Sequence, residues 1–325
     1  MSVRLTKFQK QLCSVLQDGL PVCSRPFDDI AKFLHSDEGK VLEEIEELKR
    51  AGVIRRISAL INHRVLGMTS TLVAAHIRQE NLQEVTEAVN SLRDVSHNYL
   101  RKHYYNLWFT LQAGSPEEVA VALSNLSARF GIDFHSLPVK RVFKLDVRFD
   151  LQSEEHLFGD VEQVPEEVKI ELNEAEKLIL SKLQGELDLT GKPFDFLCSE
   201  GSDEEEVLRI IAELIDKGVI RRIAAVVDHR KLGFVANVLF CCEVGPERVL
   251  EAGKRLARFG IVSHCYERKT FEDWPYNLFA MMHARSMGEI QRVINKFIEA
   301  EKIDSFELLP TAKELKKQPV RYRFY

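Results

Sequence analysis

Gly52-Val53-Ile54-Arg55-Arg56-Ile57, continued by His63-Arg64 and Leu66-Gly67, returns later as Gly218-Val219-Ile220-Arg221-Arg222-Ile223, His229-Arg230 and Leu232-Gly233. A second echo follows in each half. Val95-Ser96-His97-Asn98-Tyr99-Leu100-Arg101-Lys102 matches Val262-Ser263-His264-Cys265-Tyr266-Glu267-Arg268-Lys269, and Tyr105-Asn106-Leu107 matches Tyr276-Asn277-Leu278. A period of about half the chain is far longer than a solenoid repeat. The sequence reads as a duplicated module, so each half is interpreted against the other.

Ahead of Gly52, apolar residues recur at helical spacing at Phe8, Leu12, Val15 and Leu16, then at Ile30, Ala31, Phe33 and Leu34, which predicts two helices between Leu5 and Leu34. Ser36 and Asp37 offer a cap for a third helix through Val41, Leu42, Ile45 and Leu48, with Gly52 as its stop. Residues 53–57 and 59–61 are expected to form the two strands of a small wing, completing a winged helix-turn-helix. The second half repeats this with helices at 175–183, around 194–197 and at 202–217. Behind each wing the periods alternate in a β-α-β-β-α-β order, at 71–77, 81–92, 95–101, 106–112, 116–130 and 134–139, and again from 235 to 309. The expected fold is α+β, an internal duplication of a winged helix-turn-helix and a ferredoxin-like βαββαβ domain. Its boundaries are winged helix 1–67, ferredoxin-like domain 68–152, acidic linker 153–169, winged helix 170–233 and ferredoxin-like domain 234–325. The linker rests on Glu154, Glu155, Asp160, Glu162, Glu166 and Glu167 with one proline.

The 325 residues, 45% hydrophobic and 29% charged, are enough for several cores. No apolar run of about 18 residues occurs, and no signal-like stretch opens the chain, so a cytoplasmic protein without a membrane partner is expected. Cys13, Cys23, Cys198, Cys241, Cys242 and Cys265 contain no C-x-x-C pair, so reduced thiols and no metal site are expected. The net charge of −5 weighs against general nucleic-acid affinity.

The winged helix followed by a ferredoxin-like domain, with its Gly-Val-Ile start, resembles the feast/famine (leucine-responsive) transcriptional regulators. Their recognition helix must approach phosphates. Here the third helix carries Asp37, Glu38, Glu43, Glu44, Glu46 and Glu47 against Lys40, Lys49 and Arg50. Its counterpart carries Asp203, Glu204, Glu205, Glu206, Glu213 and Asp216 against Arg209 and Lys217. Such faces repel a duplex, although the same acids also suit solvated helix N-termini. DNA is not an expected partner.

His97, Tyr99 and Arg101 fall at i, i+2 and i+4 of a predicted strand, as do His264, Tyr266 and Arg268, so each trio projects from one face. A guanidinium can grip a carboxylate and a histidine can deliver a proton near neutral pH. A polar face turned to solvent or to a subunit is the plainer reading of one trio; its repetition favours a ligand. Arg55-Arg56 and Arg221-Arg222 are adjacent, so only one of each pair faces a given side, and either member also suits a surface salt bridge. The second half inserts Thr270-Phe271-Glu272-Asp273-Trp274-Pro275 before Tyr276-Asn277-Leu278. Aromatic residues beside arginines suit a large, flat, polyanionic ligand; a hydrophobic plug between the halves would use them equally well. His283 is expected to be packed rather than to line a cavity, and His63 and His229 to shape the hinge after each wing.

Together, His-x-Tyr-x-Arg, the following Tyr-Asn-Leu and the Gly-Val-Ile-Arg-Arg wing resemble the sirohaem decarboxylases of the alternative haem and haem d1 pathways. The resemblance spans nearly the whole chain apart from the linker. In that family two related subunits form a heterodimer, and some members are fused. Here His97-Asn98-Tyr99-Leu100-Arg101 with Tyr105-Asn106-Leu107 resembles one subunit, and His264-Cys265-Tyr266-Glu267-Arg268 with Trp274-Pro275-Tyr276-Asn277-Leu278 resembles the other. The resemblance implies removal of the two acetate carboxylates (C12 and C18) of sirohaem as carbon dioxide, giving 12,18-didecarboxysirohaem for haem b or haem d1. It implies no cofactor beyond the substrate's own iron, since the conjugated macrocycle can accept electron density. The expected catalytic residues are His264, His97, Tyr266 and Tyr99. Arg221, Arg222, Arg268, Arg55, Arg56, Arg101, Trp274, Tyr276 and Asn277 are expected to bind the substrate. Iron ligation by His97 or His264 ranks behind proton donation. The halves are expected to form an internal pseudo-dimer, and the fused chain can pair with a second copy. A tetrapyrrole-responsive regulator and a non-catalytic tetrapyrrole carrier are the alternatives; operator binding marks the first, and lack of turnover marks the second.

Overall fold

The computed structural model describes residues 3–149, 151, 169–198, 203–319 and 321–324. Residues 153–168 of the expected acidic linker, and the expected helix start at Ser202, lie outside them.

The first half runs α1 (Lys7–Asp18), α2 (Pro26–Phe33), α3 (Glu38–Arg50), β1 (Ile54–Ile61), β2 (Thr69–Ala75), α4 (Leu82–Ser91), β3 (Val95–Arg101), β4 (Leu107–Ala113), α5 (Pro116–Phe130) and β5 (Phe134–Leu145). The second runs α6 (Glu174–Leu183), α7 (Glu204–Asp216), β6 (Ile220–Val227), β7 (Ala236–Cys242), α8 (Val249–Arg258), β8 (Val262–Arg268), β9 (Leu278–Ala284), α9 (Met287–Glu301) and β10 (Phe306–Lys317). Only a 3-10 turn, Asp195–Leu197, stands where the second half would repeat α2. Local chemistry sets the helix starts. Thr6 with Gln9, and Asn173 with Glu176, form capping boxes. Asp37 and Asp203 accept backbone N–H groups at the starts of α3 and α7. Gly52 and Gly218 follow those helices at φ +70°, the left-handed turn that aims the chain into β1 and β6.

The expected wing hairpins do not form. A single residue, Ser58, separates the apolar runs 53–57 and 59–61, too few for a hairpin turn. Ile54–Ile61 is therefore one strand, and its partner is β6 of the other half, antiparallel with Ile57 opposite Ala225, Ser58 opposite Ala224 and Ala59 opposite Ile223. The two presumed wings are one ribbon shared by the halves.

The other eight strands close a barrel in the order β10-β3-β4-β2-β5-β8-β9-β7. Each half contributes four neighbouring strands, and two seams join them, β5 to β8 and β10 to β3. The expected strand at 134–139 continues to Leu145, because residues beyond Val139 pair across the seam with β8. One core lies under both helical units and the ribbon, including Leu12, Phe27, Ile45, Leu180, Ile211 and Ile220. Two more lie beneath α4 and α5, and beneath α8 and α9. A fourth fills part of the barrel interior with Trp108, Trp274, Phe279, Leu137 and Leu309.

Candidate active site

The β1–β6 ribbon and the inner face of the barrel enclose a cavity of about 530 Å3. His97, Tyr99 and Arg101 line it, and so do His264, Tyr266 and Arg268. The two trios thus share one chamber, of a size suited to an organic ligand. Strand alternation explains the placement: the intervening Asn98 and Cys265 turn the other way, where Asn98 Nδ2 donates to Asn90 Oδ1 at 3.0 Å and the Cys265 thiol to the Gly253 carbonyl at 3.7 Å. The ribbon adds Arg55, Arg56, Arg221 and Arg222. Among the described residues no Asp or Glu lines the chamber, against six arginines and Lys317. A chain of net charge −5 therefore encloses a strongly cationic space.

Each buried arginine reaches across a seam. Arg101 Nη1 donates to the Leu309 carbonyl and to Thr311 Oγ1, and Arg268 Nη1 donates to the Leu137 carbonyl at 2.8 Å. Their guanidinium carbons lie 5.5 Å and 4.7 Å from the ring centres of Tyr99 and Tyr266. Desolvation lowers both to about 10, which leaves them charged at neutral pH. The Nε atoms of Arg101, Arg222 and Arg268 have no hydrogen-bond partner among the described residues. Leaving a buried donor unpaired costs about 1–3 kcal/mol, so an anion in the chamber would recover that energy.

Ser96 Oγ and Ser263 Oγ lie 2.9 Å from His97 Nδ1 and His264 Nδ1. Ser263 donates its proton to the Met281 carbonyl, so its oxygen accepts from His264 Nδ1–H and the Nε2 lone pair is left free to accept. Ser96 instead meets Thr110 Oγ1 at 2.9 Å, and either hydroxyl can donate, so His97 can carry its proton on Nε2. Burial, reinforced by Lys317, Arg55 and Arg56, lowers His97 to about 4. Burial, then Arg221 and His97, lowers His264 to about 3. Both imidazoles are neutral at pH 7. Desolvation pushes Tyr99 up to about 12 and also raises Tyr266, so both phenols keep their protons.

Adjacency does not divide the ribbon arginines between two sides: both members of each pair reach the chamber wall. Arg55 pairs with Asp228 at 2.6 Å, Arg222 with Asp146 at 2.9 Å, and Arg56 Nε donates to Ser58 Oγ at 3.1 Å.

Trp274, Tyr276 and Asn277 are not brought to the chamber. Trp274 is 1% exposed and packs edge-on against Trp108 at 5.2 Å and Tyr105 at 6.0 Å. Trp108 and Phe279 line the chamber and Trp274 lies behind them, so the inserted segment is the plug between the halves. Tyr276 packs on Trp274. Asn277 clamps backbone, donating to the Val244 carbonyl at 2.8 Å and accepting its N–H at 2.9 Å, as Asn106 does at Ile77.

Conversely, His63, His229 and His283 line the chamber rather than serving only hinge and packing. His229 and His283 meet at 4.8 Å, and burial holds His229 at about 4 and His283 well below its ordinary range. The repeated His-Arg pair was the only sequence signal for His63 and His229. Lys317 and the chain after β10 were missed altogether: Gln318 and Tyr322 enter the wall, with Tyr322 stacked on His63 at 5.8 Å and its backbone held by Gln184.

Comparison with known proteins adds an independent line. An AsnC-like ligand binding domain model matches residues 65–144 and 231–316, and a siroheme decarboxylase NirDL-like HTH domain model matches 9–55. A siroheme decarboxylase of Hydrogenobacter thermophilus is 36% identical over 318 residues, 96% of this chain and 94% of the relative. The siroheme decarboxylase NirDL subunit of Paracoccus denitrificans is 30% identical over 288 residues, 87% of each chain. The siroheme decarboxylase alpha subunit of Desulfovibrio desulfuricans is 35% identical over 150 residues, 46% of this chain and 87% of its own. A crystal structure of the siroheme decarboxylase NirDL in complex with an iron-uroporphyrin III analogue superposes with a TM-score of 0.72 and 33% identity, covering 98% of this chain and 95% of that one.

Proposed function

Because the chain belongs to the siroheme decarboxylase family, we propose that its shared chamber binds sirohaem and removes the C12 and C18 acetate carboxylates as carbon dioxide, giving 12,18-didecarboxysirohaem. The observation that carries this reading is a single cationic chamber without lining carboxylates among the described residues, into which two His-Tyr-Arg trios project, their arginines buried. A flat polyacid is the ligand class that such a chamber suits, and the unpaired arginine Nε atoms are donors for it.

The arginines position the substrate. Arg55, Arg56, Arg221 and Arg222 face its carboxylate rim, and Arg101 and Arg268 stiffen the seams while offering Nε. In each decarboxylation the bond between the acetate methylene and its carboxyl carbon breaks, carbon dioxide leaves, and the electron pair passes into the conjugated macrocycle. A proton then reaches the methylene carbon to complete a methyl group. His97 or His264 supplies it, and Tyr99 or Tyr266 orients the imidazole or shares delivery. By themselves the histidines are neutral; substrate carboxylates nearby favour the imidazolium and oppose the effect of burial. No cofactor is proposed beyond the iron of the substrate.

We further propose that the halves are fused equivalents of two subunits, each a helix-turn-helix plus a ferredoxin-like domain. The repeated element order and the half-length relative support this. Six free cysteines suit a cytoplasmic setting, and no helix of the described residues is long and apolar enough to cross a membrane. The acidic α3 and α7 speak against DNA as a partner.

The test is anaerobic incubation of the purified chain with sirohaem and mass spectrometry of the extracted tetrapyrrole. Loss of two carbon dioxide units is expected. Tight binding without a mass change would overturn the reading in favour of a carrier or sensor.

A further inference from the structure

The two ends of the chamber are built from equivalent strands but from unlike side chains. At one seam Lys317 of β10 stands opposite His97. At the other, Leu145 of β5 stands opposite His264. The next strand repeats the contrast, with Thr110 of β4 opposite His97 and Met281 of β9 opposite His264. All four line the chamber. The ribbon arginines, by contrast, match in number and sequence position, Arg55 with Arg221 and Arg56 with Arg222, although non-equivalent members form the ion pairs. One member at each end is neutralised, Arg55 by Asp228 and Arg222 by Asp146. Among the described residues Lys317 reaches a carboxylate, that of Glu314, only at 4.0 Å.

We propose that Lys317, set against Leu145, is the specificity-determining residue that orients the tetrapyrrole. Its ammonium holds one acetate as a carboxylate at the His97 end and so directs the other to the His264 end, where leucine stands in place of the lysine and which reacts first. The inference rests on the decarboxylase reading above. A carboxylate beside an ammonium in a poorly solvated site is stabilised relative to neutral carbon dioxide, so its loss is retarded there. Beside Leu145 and Met281 a carboxylate meets Arg221 and Arg268 but no counterpart of Lys317, so it is held less strongly, and bond cleavage moves its charge into the macrocycle. Sirohaem lacks the pseudo-symmetry of the chamber, so without this contrast two orientations would compete. A tenfold preference needs only about 1.4 kcal/mol, within reach of one half-buried cation.

The test uses the full chain with sirohaem under anaerobic conditions, quenched early, with the two singly decarboxylated isomers separated and quantified. Wild type should give one isomer in about tenfold or greater excess. In Lys317→Leu, which copies the residue already tolerated at the equivalent position, the ratio should fall towards one, and total carbon dioxide release should fall less than the ratio does. Lys317→Arg should restore the excess, and exchanging the two residues (Lys317→Leu with Leu145→Lys) should invert it. Lys317→Gln gives the same readout should the leucine variant fold poorly. A purely structural role would not move an isomer ratio. An unchanged ratio in Lys317→Leu, or a wild-type mixture, overturns the inference while leaving the decarboxylase intact. A wild type that releases no carbon dioxide overturns the parent function and this inference with it.

Discussion

His264, buried and donating its Nδ1 proton to Ser263, cannot be replaced by a neighbour on its own strand, since Cys265 faces the helices. His264→Ala should keep the fold and lower kcat at least about a hundredfold, the usual worth of a positioned proton donor; full activity would remove it from the mechanism. The same residue carries a pH consequence. His97, His229 and His264 fall on folding from about 6.5 to about 4 or 3, so between those values the unfolded chain binds more protons. Their contribution is intact above pH 6.5 and is lost as pH falls towards 4. Asp146 and Asp228, both lowered, lose theirs only beneath the ordinary carboxylate range, a separate window. Thermal melts from pH 7.5 to 4.5 should show Tm falling steadily below 6.5, less steeply in His264→Gln; a flat profile would contradict the neutral buried imidazoles. The i, i+2, i+4 spacing made both trios legible in the sequence. Asn277 was misread because a backbone clamp and a ligand contact demand the same amide. Asn277→Ala should destabilise by about 1–3 kcal/mol in denaturant titration while kcat/KM of the folded enzyme changes little.

Elements were legible where their partner is local. Capped helices such as α1, α3 and α5 follow from their own residues, and so does strand β3. The ribbon and the far end of β5 were not, because their partners lie in the other half and no periodicity within 54–61 or 140–145 encodes a distant strand. The same cross-half dependence predicts a helix effect opposite to propensity. Gly253 lies inside α8, where alanine should gain about 1 kcal/mol. A Cβ there would overlap the ring of Phe143, which β5 sends into the core beneath α8. Gly253→Ala should therefore destabilise by about 1–3 kcal/mol through overpacking. Adding Phe143→Leu should recover part of it in the same melts, and additive losses would show that the two sites do not meet.

At the scale of the molecule, repetition in the sequence announced two copies of a module but not how they meet. That required knowing which strand edges pair. Each half alone would leave both edges of a four-stranded sheet exposed, at β3 and β5 or at β8 and β10, along with an unpaired ribbon strand. Joining them closes the barrel, pairs β1 with β6 and merges the helical units over one core. Those contacts join residues 3–151 to residues 169–324. Expressed together as separate chains, residues 1–152 and 169–325 should copurify one to one and decarboxylate sirohaem, whereas either alone should aggregate or self-pair through its open edges. The pairing also completes the site, since Arg101 binds the carbonyl of Leu309 and Arg268 that of Leu137, each across a seam. Activity from one fragment that stays monomeric would mean that a single trio suffices and that the shared chamber is dispensable. Activity recovered only on mixing would place the chemistry in the space that neither half encloses.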